Sequence, residues 1–162
     1  MSLYFQKIKT PIGKLYVVSN VKNLQAIIFE QHWFKFKQDI SKMQKLETPL
    51  IKKAMKQLTE YFQGKRRTFD IPYDLSGTDF QNRTWESLAK IPYGETRSYK
   101  DQAKLVKSPK AVRAVGRTNG LNPLCIILPC HRVIGSNNNL TGYAGGLKAK
   151  RFLLKLEGVT LS

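Results

Sequence analysis

Three short segments near the start of the chain are mostly apolar. Residues 3–8, 15–19 and 24–29 are rich in β-branched and aromatic side chains, and turn-forming residues separate them. This pattern predicts β-strands joined by tight turns.

The apolar spacing becomes helical after Thr48. Thr48 is a suitable N-cap, and Pro49 fits the first turn, where its missing N–H has no helical partner to lose. We expect the helix to end near Gly64. Its apolar positions fall on one face: Ile51, Ala54, Met55, Leu58 and Phe62. The first part of the chain is therefore a small α/β unit.

Composition changes at residues 74–77, which predicts a boundary between residues 1–75 and 76–162. A second helix follows, in which Thr78 and Gln81 form the pattern of a capping box. Its expected buried positions are Phe80, Thr84, Trp85 and Leu88.

Two short helical patterns then follow each other. Tyr99, Ala103 and Val106 share a face of the first. Ser108 is expected to cap the second, with Pro109 at its first position and with Ala111, Val112 and Val115 facing inward. The short break between the two helices is typical of a helix-turn-helix.

The outer face of the second helix is basic. Lys110, Arg113 and Arg117 follow one another at i, i+3 and i+7, so a continuous helix would project all three in one direction. A solvated polar face is one interpretation, and a surface that contacts DNA is the other.

Charge favours DNA. The 162 residues include 28 Lys and Arg against 11 Asp and Glu, a net charge of +17. Between Asp101 and Glu157, a stretch of 55 residues holds ten Lys or Arg and no acid. Acidic side chains would repel phosphate, so this stretch predicts a nucleic-acid partner rather than a solvated basic surface alone.

The chain has two cysteines, Cys125 and Cys130, and two histidines. We therefore expect no zinc site of the usual four-ligand kind, and no cofactor. On an extended segment the two Cα atoms would lie about 16 Å apart, too far for a disulfide, so both thiols are expected to be free.

Residues 121–135 carry the candidate chemistry. Their apolar centre predicts a buried extended strand, which ends at Pro129 and is followed by Cys130 and His131. Neighbouring polar and cationic groups favour the Cys130 thiolate, whereas Cys125 lies among aliphatic residues that favour the neutral thiol. A small buried hydrophobe is the alternative interpretation of Cys130.

A glycine-rich, aromatic segment at residues 141–146 suits close approach of the backbone to a flat ligand. A terminal helix follows, ending near Gly158, and its expected inner face consists of Ala149, Phe152, Leu153 and Leu156. Glu157 lies in the last turn, where the helix dipole disfavours a negative charge, which suggests that this acid has a specific task.

These motifs together resemble the O6-alkylguanine-DNA alkyltransferase family, also called methylated-DNA–protein-cysteine methyltransferases. The resemblance rests on PCHRV at residues 129–133, the preceding NP at 122–123, GYAGG at 142–146 and LLKLEG at 153–158. It extends back through residues 91–94, 98–99 and 111–116, and so covers about residues 80–158.

The resemblance implies a stoichiometric repair reaction. Members of the family flip the damaged guanine out of the duplex, and the cysteine takes the alkyl group from O6. Cys130 would be the nucleophile and alkyl acceptor, His131 its base acting through a water molecule, and Glu157 the group that orients the imidazole. Asn122 would hold the turn before the active-site segment, and Tyr99 would donate a hydrogen bond to the leaving guanine.

The resemblance also implies contacts to substrate. Arg113 would enter the base stack as an arginine finger, with the second helix in the minor groove. The implied DNA-binding set is Arg113, Lys110, Arg117, Ser98 and Asn119. The implied pocket set is Val133, Tyr143, Ala144 and Gly145.

The expected fold is α+β: a ribonuclease-H-like sheet plus helix as support, followed by a mostly helical DNA-binding and alkyl-transfer domain with a winged-helix-like motif. The expected substrate is O6-alkylguanine in double-stranded DNA, with O4-alkylthymine as a second candidate. We expect a monomer without an obligate protein partner or membrane contact, cytoplasmic in bacteria or archaea and nuclear in a eukaryote. The alternatives are a relative that binds lesions without removing the alkyl group, and a Cys-His hydrolase.

Overall fold

The structure, a computed structural model, describes residues 2–33 and 42–161. The chain forms two compact units, Met1–Leu75 and Ser76–Ser162. In the described part of the chain, no helix has the length and apolar character needed to cross a membrane.

The first unit is built on a four-stranded sheet. Its strands are β1 (Leu3–Thr10), β2 (Gly13–Ser19), β3 (Leu24–Phe29) and β4 (Met43–Lys45), in the order β3-β2-β1-β4. The β1–β2 and β2–β3 pairs are antiparallel, and β4 pairs with β1 in parallel. The three predicted strands are thus confirmed, with the first two longer than expected.

The helix of this unit is α1 (Pro49–Phe62), which packs against β1 and β2. Its predicted cap is confirmed, because the Thr48 side chain accepts a hydrogen bond from the Ile51 N–H at 3.2 Å. Gln57 and Tyr61 are buried, whereas Met55 and Phe62, two of the predicted core positions, are only half-buried. Gln57 is satisfied inside because its Oε1 accepts from the Asp70 N–H at 3.0 Å.

The second unit is mostly helical. It contains α2 (Asp79–Leu88), β5 (Arg97–Ser98), α3 (Tyr99–Leu105), α4 (Val112–Gly120), a 3₁₀ turn (Cys130–Arg132), β6 (Val133–Ile134) and α5 (Leu147–Leu156). With the sheet of the first unit, this confirms the expected α+β fold.

The first helix of this unit begins as predicted. The Thr78 side chain accepts from the Gln81 N–H, and the Gln81 side chain accepts from the Thr78 N–H, so the capping box is complete. Trp85 is buried and its indole N–H donates to the Thr118 carbonyl at 2.8 Å, which ties α2 to α4.

The two short helices α3 and α4 pack against each other around Ala103, Val106 and Val115. Ser98 caps α3 by accepting from the Asp101 N–H at 3.0 Å. The predicted cap of α4 is wrong: Ala111 stands at its N-cap without a side-chain hydrogen bond. Ser108 instead accepts at its carbonyl from the Ala111 N–H at 2.9 Å, so residues 108–111 form a separate turn before the helix.

The short strands β5 and β6 pair in parallel, with Arg97 opposite Val133 and Ser98 opposite Ile134. Since β5 leads directly into α3 and β6 directly follows the 3₁₀ turn, this pairing fixes the start of the helix-turn-helix beside Cys130.

Candidate functional site

The segment that leads to Cys130 is folded into consecutive turns. The Ile127 N–H donates to the Cys125 carbonyl, and the Leu128 N–H donates to the Leu124 carbonyl, both at 2.9 Å. Ile126 adopts φ +73°, a left-handed conformation that a β-branched residue rarely takes. The predicted extended strand is therefore wrong, and the extended-chain separation of the two cysteines does not apply. Both cysteines are free and buried.

Asn122 closes this folded segment with its side chain. Its Nδ2 donates to the Leu128 carbonyl at 2.7 Å, and its Oδ1 accepts from the Leu124 N–H at 3.0 Å. The Asn122 amide thus binds backbone groups at both ends of the segment from Leu124 to Leu128. This segment leads directly to Pro129 and Cys130.

The backbone turns again at Cys130. Residues Cys130–Arg132 form the 3₁₀ turn, in which the Arg132 N–H donates to the Pro129 carbonyl at 3.0 Å. Three consecutive residues of this turn are buried: taken as whole residues, Cys130 is 7%, His131 0% and Arg132 6% exposed. The turn, rather than an extended strand, sets the directions of the thiol and the imidazole.

Glu157 joins this turn from the end of α5. Its Oε2 lies 2.6 Å from His131 Nε2 and 3.1 Å from Arg132 Nη2, and its Oε1 lies 2.8 Å from Arg132 Nε. The Gly94 N–H also donates to Oε1, at 3.1 Å. The side chain is fully buried, so the structure shows an enclosed carboxylate with strong donors on both oxygens.

This arrangement defines the hydrogen-bonding state of His131. Because Arg132 and the Gly94 N–H donate to its oxygens, we assign Glu157 as an ionised carboxylate, which can only accept; in that assignment Nε2 carries the proton and Nδ1 keeps its lone pair. Nδ1 is buried and has no hydrogen-bond partner among the described residues. Burial lowers the pKa of His131, although the hydrogen bond to Glu157 opposes this effect, so the imidazole is neutral near pH 7.

The pKa of Cys130 is shifted in the direction opposite to the expected one. Burial raises the pKa of the Cys130 thiol, and the Asn122 amide and the positive charge of Lys150 oppose the rise without cancelling it. Burial raises the pKa of Cys125 more strongly, well above its ordinary value. The predicted ranking of the two thiols thus agrees with the structure, but Cys130 needs a base to remove its proton.

Lys150 is a polar residue of the site that the sequence analysis missed. It is fully buried on α5, and its Nζ donates to the carbonyls of Val133 and Thr141 at 2.7 Å and of Gly142 at 3.4 Å. Burial lowers its pKa from 10.5 to about 8. The signal available in the sequence was the position of this lysine on the predicted inner face of the helix, next to Ala149 and three residues before Leu153.

The inner face of α5 accordingly differs from the prediction. Lys150 and Leu154 are buried beside Ala149 and Leu153, whereas Phe152 is exposed and Leu156 is half-buried. The helix is oriented so that the lysine reaches the carbonyl of Val133 in β6 and those of Thr141 and Gly142 in the segment before α5.

A cavity of about 560 Å³ opens at Cys130. The helix-turn-helix and the glycine-rich segment supply its other walls: Tyr99, Val112, Gly116, Asn119, Gly120, Thr141, Gly142, Tyr143 and Ala144. Of the pocket residues expected from the resemblance, Tyr143 and Ala144 line it. Val133 is fully buried in β6, and neither it nor Gly145 belongs to the described lining.

Tyr99 stands between the two walls of the cavity. Its hydroxyl accepts a hydrogen bond from the Thr141 hydroxyl at 3.1 Å. Gly116 lies against its ring, since a Cβ built at this glycine would be 3.7 Å from Tyr99 Cδ1. Burial raises the pKa of Tyr99, so its hydroxyl remains a proton carrier near pH 7.

The basic candidates lie on the outside of the helix-turn-helix. Lys110, Arg113 and Arg117 are all exposed. Only the two arginines belong to α4, because Lys110 is in the preceding turn, so the expected single helical face is wrong for the lysine. The described residues contain no cluster of three or more His, Cys, Asp or Glu suited to a metal ion.

Asn119 is placed differently from the other DNA-binding candidates. It is 6% exposed, and its Nδ2 and Oδ1 form two hydrogen bonds with the side-chain amide of Gln102, at 2.7 and 3.0 Å. This buried amide pair holds α3 against α4, a placement that does not fit a contact to the DNA groove.

Comparisons with known proteins agree over nearly the whole chain. Residues 3–75 match the family described as "6-O-methylguanine DNA methyltransferase, ribonuclease-like domain", and residues 79–159 match its DNA-binding domain. The constitutive methylated-DNA–protein-cysteine methyltransferase of Bacillus subtilis is 45% identical over 159 residues, which covers 97% of this chain and 96% of the relative. The methyltransferase of Methanosarcina barkeri is 43% identical, with coverage of 96% and 97%.

A solved structure shows the same fold. Mycobacterium tuberculosis OGT in complex with DNA superposes with a TM-score of 0.86 at 42% sequence identity, covering 95% of this chain and 92% of that one.

Proposed function

Because this chain belongs to the family of methylated-DNA–protein-cysteine methyltransferases, we propose that it repairs O6-alkylguanine in double-stranded DNA by direct reversal, with Cys130 as the permanent alkyl acceptor. The observation that carries the assignment of Cys130 is its position at the wall of a cavity backed by the His131–Glu157 pair.

The reaction is an in-line displacement. The Cys130 sulfur, having lost its proton, forms a bond to the alkyl carbon, the bond from that carbon to O6 breaks, and its electron pair passes to the guanine, which takes up one proton at N1. The products are a thioether and an unmodified guanine base. Since no step regenerates the thiol, each molecule acts once.

His131 is proposed to remove the thiol proton. The buried imidazole is neutral and its Nδ1 lone pair is available, so it can accept that proton through a bridging water molecule. Glu157 then stabilises the imidazolium across the 2.6 Å contact. This step is needed because burial disfavours the thiolate.

Other residues of the cavity are proposed to receive the base. The cavity volume lies within the range of small-ligand pockets. Tyr99, whose hydroxyl faces the glycine-rich wall, would donate a hydrogen bond to the leaving guanine. Tyr143 and Ala144 would contact the purine, and Asn122 would hold the nucleophile segment in position.

DNA is proposed to bind at the outer surface of α4. A base inside a duplex cannot reach a cavity, so the damaged nucleotide must be flipped out. Arg113, exposed on α4, would fill the vacated space from the minor groove, and Lys110 and Arg117 would contact phosphates. Residues 1–75 would act as the support domain. We also propose a monomeric, cytoplasmic protein.

Intact-protein mass spectrometry after incubation with a duplex containing O6-methylguanine tests the proposal. We expect a gain of one methyl group per molecule, which Cys130→Ala abolishes and Cys125→Ala, a change at the second buried cysteine, retains. Binding without a mass gain would support a lesion-binding protein instead. Turnover of a small ester without a mass gain would support a hydrolase.

A further inference from the structure

Arg132 holds Glu157 by two points. Its Nε and Nη2 donate to the two carboxylate oxygens, at 2.8 and 3.1 Å. Its remaining terminal nitrogen, Nη1, donates to the Ile91 carbonyl at 2.6 Å, and the guanidinium lies 5.7 Å from the centre of the Tyr93 ring. The arginine is thus fixed on three sides while it orients the carboxylate that faces His131.

Arg132 and Glu157 are both enclosed, so the positive charge of Arg132 has a large effect on whether Glu157 is ionised. The side chains of Arg132 and Glu157 are 8% and 0% exposed. A buried carboxylate without a positive partner tends to take up a proton, because charge is costly away from water. Arg132 compensates the negative charge at contact distance.

Other charged and titratable groups near Glu157 make contacts of their own. His131 is neutral near pH 7 because burial lowers its pKa, and the Tyr93 hydroxyl donates to the Leu156 carbonyl at 3.3 Å. Glu95 forms an exposed ion pair with Arg97. On α5, the Lys150 ammonium is engaged with the carbonyls beside the cavity, and Lys155 is exposed.

The charge of Glu157 decides which nitrogen of His131 carries the proton. An ionised carboxylate accepts from Nε2–H and leaves Nδ1 as an acceptor. A protonated carboxyl would donate to Nε2, and the ring proton would then move to Nδ1. In that tautomer His131 has no free lone pair with which to accept a proton.

We propose that Arg132 is a positioning residue for alkyl transfer, which keeps Glu157 ionised and thereby fixes the tautomer in which His131 can act as a base. The inference rests on the proposed function and adds a residue whose role the sequence motif alone did not indicate.

Rates of benzyl transfer from free O6-benzylguanine, followed by intact-protein mass between pH 6 and pH 9, test the inference without requiring DNA. We expect Arg132→Met to react about 10- to 100-fold more slowly than the unchanged protein at pH 7. The rate of Arg132→Met divided by that of the unchanged protein should rise with pH, because the proton that Glu157 takes up in the variant is removed at higher pH. Arg132→Lys, which keeps the charge but not the two-point contact, should fall between them.

Two further variants define the comparison. Glu157→Gln should be slow at every pH, because an amide cannot ionise. Arg83→Met is the matched control: Arg83 also donates to a backbone carbonyl of this unit, that of Val106, at 2.7 Å, but it pairs with Asp79 rather than Glu157. Its rate should equal that of the unchanged protein.

The tautomer itself can be read by ¹⁵N NMR, since His32 and His131 are the two histidines of the chain. In a His32→Gln background, we expect Nε2 of His131 to carry the proton. When Arg132→Met is added, we expect the proton to be on Nδ1 below the pH at which the rate of that variant recovers. If Arg132→Met does not fold, Arg132→Lys takes its place. Arg132→Lys must then react more slowly than the unchanged protein, whereas adding Arg132→Lys to Glu157→Gln must cause no further loss of rate.

The outcomes separate the two proposals. An unchanged protein that gains no benzyl group refutes the proposed function. If the unchanged protein reacts and Arg132→Met has the full rate, only the role of Arg132 is refuted. The same holds if Arg132→Met is slower by a factor that is constant from pH 6 to pH 9 and the His131 tautomer is unaltered.

Discussion

Replacing Lys150 by methionine should change how the stability of the protein depends on pH. Lys150 is fully buried and its ammonium donates to the carbonyls of Val133, Thr141 and Gly142. Methionine has a similar length and fills similar space without the charge.

The pKa of Lys150 sets the magnitude. Its fall from 10.5 to about 8 corresponds to about 3 kcal/mol, at about 1.4 kcal/mol for each pH unit. Below pH 8 the folded and unfolded chains both hold the proton, so this lysine adds no pH dependence. Between pH 8 and pH 10.5 the unfolded chain holds a proton that the folded chain has lost, and the free energy of unfolding therefore rises with pH.

Urea unfolding at several pH values measures this effect. The free energy of unfolding of the unchanged protein, minus that of Lys150→Met, should increase by about 2.5 kcal/mol from pH 7 to pH 10. Lys148→Met, at an exposed position of the same helix, should show no such increase. A difference that stays flat for Lys150→Met as well would refute the burial of a charged amine at this position.

Two predictions concern DNA. Arg113→Ala should slow transfer from duplex DNA by at least about 10-fold while leaving transfer from free O6-benzylguanine unchanged, because the arginine acts on the base stack and not on the thiol; equal loss on both substrates, measured by intact mass, would contradict the finger role. Duplex affinity should weaken with salt, with log Kd against log salt concentration giving a slope of about 3 if Lys110, Arg113 and Arg117 each neutralise one phosphate; a titration that shows no salt dependence would contradict this surface.

Local rules predicted the start of the elements well. The caps at Thr48 and Thr78 and the strands β1 to β3 depend on residues within a few positions of each other, so the sequence contains the signal for them. The short strand β4 was not predicted. Ser108 failed as a cap because the turn of residues 108–111, which follows Lys107 at φ +58°, separates the serine from α4. Backbone conformations of this kind are set by packing rather than by residue type.

The candidate site divides in the same way. Cys130, His131 and Glu157 were predicted because their order along the chain resembles a known family, and the structure brings the last two together at 2.6 Å. The tasks of Arg132 and Lys150 were not predicted. Each depends on backbone carbonyls outside its own element, such as that of Ile91 for the arginine and that of Val133 for the lysine. A backbone acceptor can belong to any residue type, so the sequence does not identify these partners.

The raised pKa of Cys130 could not be predicted either. Neighbours in the sequence suggested stabilisation of the thiolate, but burial is a property of the assembled unit and outweighs them.

The inner surface of α4 has a consequence for how this protein can change. Val112, Gly116 and Gly120 line the cavity, while Arg113 and Arg117 of the same helix face outward. Transplanting the helix-turn-helix to another scaffold would remove one wall of the cavity along with the proposed DNA-binding residues. Engineering for larger lesions and engineering for different duplexes therefore act on neighbouring faces of one nine-residue element, and each can be varied only within the limits that the other sets.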